Sequence, residues 1–160
     1  MSRFFLKLRT IEAFDGRLQI TFKPQTLGLL VEADEFLTEF EAAIDDYRIK
    51  TETRKALRDI ASEYATLLVA TESVVVKASV SLDDTVIAAF VAWFNELDLD
   101  DTDFADLWDA RLEMPDWIVS EWSRAYLEAQ RLNYDKASAP SETLSEADRE
   151  SLKSEDSPLA

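Results

Sequence analysis

The chain has 160 residues, 47% of them apolar, with four Trp and nine Phe, which is enough to bury a core and unlike the composition of a disordered chain. It contains no His and no Cys, so a disulfide framework, zinc sites of His and Cys, and hydrolases that use His as a general base are all excluded. Asp and Glu number 33 against 17 Lys and Arg, a net charge of −16 that repels nucleic-acid backbones and anionic membranes and attracts basic protein surfaces.

Two segments near the start, Phe4-Phe5-Leu6-Lys7-Leu8-Arg9 and Arg17-Leu18-Gln19-Ile20-Thr21-Phe22-Lys23, alternate with period two around Asp15-Gly16. Alternation on both sides of a turn dipeptide that tolerates positive φ predicts a β-hairpin over residues 1–24. Pro24 ends it, and Thr26 reads as the N-cap of a helix. Leu30, Ala33, Leu37, Phe40, Ile44 and Tyr47 recur at spacings of three and four, the stripe of an amphipathic helix ending near Tyr47. A second helix from about Thr51 carries Leu57, Ile60, Ala61, Tyr64, Leu67 and Leu68 inward. Residues 73–82 read either as a third strand, from their β-branched alternation, or as an extension of that helix, since no Gly or Pro interrupts it.

Ser81 and Asp84 resemble a capping box that opens a helix from about Leu82 to Leu97. Its run Val86 to Phe94 is apolar on all sides, so this helix must sit centrally or leave surface for a partner. An acidic connector, Asp98-Leu99-Asp100-Asp101-Thr102-Asp103, leads to a short helix with Phe104, Leu107, Trp108, Arg111 and Leu112 on one face. Pro115 suits the first turn of a last helix whose stripe is Ile118, Trp122, Ala125, Tyr126, Ala129 and Leu132. From Lys136 the composition turns to Ser, Glu, Asp, Ala and Pro, which predicts a disordered acidic tail over 136–160. The expected fold is mainly α, of the α+β class: one domain over 1–135, with the hairpin followed by a bundle of about five helices across 26–133.

Charge is uneven along the chain. Residues 1–30 hold Arg3, Lys7, Arg9, Arg17 and Lys23 against Glu12 and Asp15, a local +3 that leaves −19 for the remainder. Carboxylates are the chemistry that survives. Asp98, Asp100, Thr102 and Asp109 fall at positions one, three, five and twelve of a calcium-loop template, but Asp103 stands where the sharp turn needs Gly and Asp109 is shorter than the usual bidentate Glu. Gly16 and Gly28 are isolated, so no phosphate cradle is present. Neither a catalytic set, a cofactor nor a metal is expected.

The four Trp, at 93, 108, 117 and 122, lie within one third of the chain, interleaved with acids. Trp93 and Trp122 read as core. Trp108 and Trp117, with Phe104 and Leu112 beside them, are the candidate protein-binding residues, because aromatic groups rimmed by charge suit partner anchoring.

The order of a short hairpin with Asp15-Gly16, then Phe22-Lys23-Pro24-Gln25-Thr26-Leu27-Gly28-Leu29-Leu30, then an acidic amphipathic helix resembles the opening of tail assembly chaperones of long-tailed bacteriophages. The specific likeness covers residues 15–37. It implies a non-catalytic protein, acting in the bacterial host cytoplasm, that covers the tape-measure protein and recruits tail-tube subunits. The family often makes a longer form by ribosomal frameshifting, and homo-oligomers are compatible with it. No nucleic acid or membrane is expected as a partner. Two other readings remain: an acidic inhibitor that mimics DNA on a nucleic-acid-binding surface, and a structural virion component.

Overall fold

The computed structural model describes residues 6–45, 47 and 49–138. In chain order the elements are strands β1 (Arg9–Ala13) and β2 (Leu18–Phe22), helices α1 (Leu27–Asp45) and α2 (Thr51–Ala70), strand β3 (Thr71–Val76), and helices α3 (Thr85–Glu96), α4 (Phe104–Glu113) and α5 (Asp116–Ser138). The expected hairpin and five helices are therefore present. The hairpin is part of a three-stranded antiparallel sheet in the order β1-β2-β3.

Alternation decides which face of the sheet is covered. Ile11, Ala13, Leu18, Ile20, Phe22 and Val74 are buried on one face, while Thr10, Glu12 and Val75 are exposed on the other. Among the described residues the first strand starts later than the sequence alternation suggests: Leu6 to Leu8 are unpaired and Arg9 is the first residue in the ladder, opposite Phe22. Phe4 and Phe5 lie outside the described residues. The open question at residues 73–82 resolves as strand over Thr71–Val76, joined to α2 without a break and paired to β2 from Leu18↔Val76 to Phe22↔Thr71. Glu72 is the extra residue of a bulge there, which lets Thr71 turn inward.

The hairpin turn is tighter in backbone than in length. Phe14, Asp15 and Gly16 all have positive φ, 58°, 57° and 79°. For Gly16 that is the reason for the residue; for the bulky Phe14 it is a strained conformation, which must be held from outside. The hold comes from α5. Glu121 accepts the Phe14 N–H at 2.9 Å, and the Phe14 ring packs 6.0 Å from Phe90 and 6.2 Å, edge on, from Trp117.

Helix α5 runs antiparallel beside β1 and supplies polar groups to its free edge. Arg124 donates to the Glu12 carbonyl at 3.2 Å, and Asn133 exchanges hydrogen bonds with both the N–H and C=O of Lys7. Side chains here replace the strand that an open edge would otherwise recruit. Its other face carries Ile118, Val119, Trp122, Ala125, Tyr126 and Ala129 into the core. Trp122 is fully buried, its Nε1 donates to Thr71 Oγ1 at 2.9 Å, and Thr71 in turn donates to the Leu67 carbonyl at 2.7 Å. The last helix continues to Ser138, so its backbone includes the first three residues of the expected tail; 139–160 lie outside the described residues.

Several sequence expectations shift by a turn or a face. Thr26 does cap α1, accepting from Leu29 N–H at 3.2 Å, but the inward stripe holds Leu29 with Ala33, Phe40 and Ile44, whereas Leu30 is exposed. Asp84 is the N-cap of α3, accepting from Val86 and Ile87 N–H, so that helix starts at Thr85 instead of Leu82, and the Ser81 hydroxyl bonds Asp83 and not a helix N–H among the described residues. The connector is built by its own acids: Asp98 accepts from Asp100 N–H and, through its carbonyl, from the Thr102 hydroxyl, and Asp103 caps α4. No helix among the described residues is long and apolar enough to cross a membrane.

Candidate protein-binding surface

Helix α3 carries the most informative mismatch between composition and burial. Apolar from Val86 to Phe94, it is expected either to sit centrally or to leave surface for a partner; Ile87 and Phe90 are its buried residues, while Val86 and Ala89 are exposed. The helix lies at the rim, resting on β3, with Phe90, Trp93 and Phe94 edge-on around Trp122. Val91, Trp93 and Phe94 are half-buried against the core, and Val86 and Ala89 face outward.

That side forms one wall of an open cleft of about 220 Å3. Val86, Ala89, Phe90 and Trp93 of α3 face Ala110 and Glu113 at the end of α4 and the Met114-Pro115 turn, with Ile118 of α5 behind. Trp117 stands next to it, 47% exposed, joined to the wall through the shared contact of both Trp117 and Phe90 with Phe14. The same turn has a second cleft on its other side, about 260 Å3, lined by Leu57, Ile60, Trp108, Arg111, Leu112, Met114 and Asp116. The α4–α5 turn is thus a ridge between two recesses.

The four sequence-predicted residues divide on this geometry. Trp117 and Leu112 are exposed, one beside each cleft. Phe104 is half-buried against the core at the far end of α4 and lines neither cleft. Trp108 is corrected: it is 2% exposed, its Nε1 donates to the Tyr47 hydroxyl at 3.0 Å, and its ring lies 5.5 Å from that of Phe40. It is a core residue whose edge reaches the second cleft. Val86, Trp93, Met114 and Pro115 were not assigned to a site from sequence. The signal for Val86 and Trp93 was the all-round apolar run; Met114 and Pro115 had none.

Titratable groups near these clefts serve structure. Burial pushes the Tyr64 phenol above its ordinary value, Arg111 opposing, and its hydroxyl donates to the Leu107 carbonyl at 2.8 Å. The Arg124 guanidinium, hydrogen-bonded to Glu121, holds that carboxyl below the usual range against partial burial, and the Phe14 N–H helps. A larger recess, about 510 Å3, lies between α1 and the connector, with Glu32, Glu35, Glu39 and Asp100 around half-buried Phe36 and Leu99. Its walls are solvated carboxylates, and apolar contact, which drives protein association, is concentrated instead at the α3 cleft. Among the described residues no group of three or more His, Cys, Asp or Glu could hold a metal ion.

Compared with known proteins, the chain matches no family model, no curated protein and no solved structure.

Proposed function

We propose that this protein is a non-catalytic, protein-binding assembly chaperone, and that it grips its client at the apolar cleft between α3 and the α4–α5 turn, with Trp117 at the edge. The observation that carries the reading is the spare apolar surface of α3. A helix apolar all round is normally enclosed by its own chain, and this one leaves Val86 and Ala89 exposed in a concave wall. A groove of this kind takes the apolar anchors of an amphipathic helix, and the acid on its rim, Glu113, keeps the free surface soluble. The clients are those the resemblance names, a long helical tape-measure protein and tail-tube subunits.

The test is co-expression of the tagged protein with the long helical and tube-forming proteins encoded beside it. Capture of the long protein, lost in Val86→Glu and weakened in Trp117→Ala while both variants melt like the parent, supports the reading. Undiminished capture by Val86→Glu sinks the cleft, and capture of a nuclease or polymerase that vanishes with added salt favours the DNA-mimic alternative.

A further inference from the structure

The second cleft holds a cation that the described residues leave under-partnered. Arg111 projects from the last turn of α4 with its side chain only 10% exposed. Its Nη2 reaches one carboxylate, Asp116, at 3.5 Å, and its Nε is buried with no hydrogen-bond partner among the described residues. Charge-assisted pairs that matter sit at about 2.7–2.9 Å and tend to be two-pronged. Asp116 does not need this contact: it is 91% exposed and stands in the first turn of α5, where the helix dipole favours an acid. The neighbouring Tyr64 hydroxyl is engaged by the Leu107 carbonyl. A buried guanidinium with unused donors is costly to keep unless something supplies the missing acceptor.

The rest of the recess is apolar: Leu57 and Ile60 of α2 on one side, Leu112 and Met114 on the other. We infer that this recess is a recognition subsite for a carboxylate side chain, Asp or Glu, on a protein partner, with a flanking leucine-sized side chain covering Leu57, Ile60 and Leu112. The guanidinium supplies the charge-assisted bonds and Asp116 is displaced into water. This deepens the protein-binding reading above and rests on it: a client helix seated on the α3 cleft has the Met114-Pro115 ridge, which borders both recesses, as its route to Arg111. An acidic partner group is an unexpected choice for so acidic a protein, and so it supplies selectivity. Only a carboxylate delivered next to apolar groups overcomes the general repulsion.

The probes are two capped tripeptides, N-acetyl-Leu-Glu-Leu-amide and its Gln counterpart, titrated against the full chain while the Arg111 Nε–Hε resonance is followed by NMR. The Glu peptide should move that resonance and bind at least about tenfold tighter than the Gln peptide, the difference being the charge-assisted contact. Arg111→Met, which keeps the volume, should abolish the discrimination. Should that variant not fold, Asp116→Asn decides: removing the competing carboxylate should tighten Glu-peptide binding several-fold. Equal affinity for the two peptides overturns the proposal, as does unchanged or weakened binding in Asp116→Asn, which is what a purely structural Arg111–Asp116 pair gives. Capture of the client without peptide discrimination removes the Arg111 subsite alone; discrimination without capture removes the chaperone reading alone.

Discussion

Truncating Trp108 separates a surface anchor from a core residue, because the two roles predict opposite results. With 2% of its surface exposed and its ring 5.5 Å from Phe40, Trp108→Ala deletes an indole that neighbouring helices surround. Core Phe or Trp truncations cost about 3–5 kcal/mol, the lost transfer free energy plus a residual cavity. The Nε1 bond to Tyr47 adds little, since Tyr47 is only half-buried and its hydroxyl regains water, so we expect about 4 kcal/mol in total. At about 2–4 °C per kcal/mol for a chain of this size, the melting temperature falls by about 8–16 °C. Trp108→Phe keeps the contact with Phe40 and should cost about 1–2 kcal/mol, from the smaller ring and the missing donor. Urea titrations followed by far-UV circular dichroism measure both, with an unchanged slope certifying that the denatured state is the same. A loss below about 1 kcal/mol for Trp108→Ala would refute the burial argument and return this residue to the candidate binding surface.

The remaining expectations concern caps, the hairpin and pH. Asp84→Ala removes the acceptor for Val86 and Ile87 N–H and should cost about 1 kcal/mol, whereas Ser81→Ala should be neutral; equal effects in urea titrations would mean that the capping assignment is wrong. Gly16→Ala should destabilise by about 1 kcal/mol through backbone alone, because φ is +79° while a β-carbon would meet only Glu12 Oε1, at an ordinary 3.7 Å. For Glu121 the folded carboxyl lies below its ordinary value, so its contribution is complete above the unfolded carboxylate range and fades as pH falls through the depressed folded value. The stability gap between the parent and Glu121→Gln should therefore be level near neutrality and close in acid; a gap that widens in acid contradicts the clamp.

Most of the framework could be read from spacing, and the misses have physical causes. Period-two alternation located β2 to the residue at its core, since Leu18, Ile20 and Phe22 are all fully buried. It misplaced β1, because alternation in Leu6 to Arg9 carries no information on where a partner strand begins. The stripe of α5 was legible from Ile118 to Ala129 because three- and four-residue spacing fixes a face. On the ten-residue α4 the shared face divides: Leu107, Trp108 and Arg111 are buried, whereas Leu112, a candidate binding residue, is exposed, because a helix this short turns only part of that face against its neighbours. Trp117 was legible as exposed by its rotation from Trp122. Trp108 was not legible as buried, because acids on either side of it in sequence face water while the ring points across to Tyr47 and Phe40. The cleft itself depends on α3 folding back against the Met114-Pro115 turn between the next two helices, and no local pattern records that.

The hairpin tip and the α3 cleft are mechanically one unit, which follows from who holds Phe14. A positive φ at a residue of this size costs on the order of 1–3 kcal/mol and persists only when its surroundings over-determine it. The restraint has two parts: Glu121, locked by Arg124 Nε at 2.8 Å and Nη2 at 2.9 Å, fixes the Phe14 N–H, and Phe90 with Trp117 fixes its ring. Those two rings are also the inner wall of the cleft and its exposed edge. The strain at the turn is therefore balanced against the position of the binding wall, and force on either is felt by the other. This accounts for the placement of an aromatic residue where Asn or Gly would relax the backbone: Phe14 acts as a peg between α3 and the start of α5, adding to the direct packing of Phe90, Trp93 and Phe94 on Trp122. Relaxing the turn with Phe14→Gly removes the strain and the peg together, so the hairpin gains backbone freedom while the cleft loses its alignment, and client capture should fall further than the change in stability alone would account for.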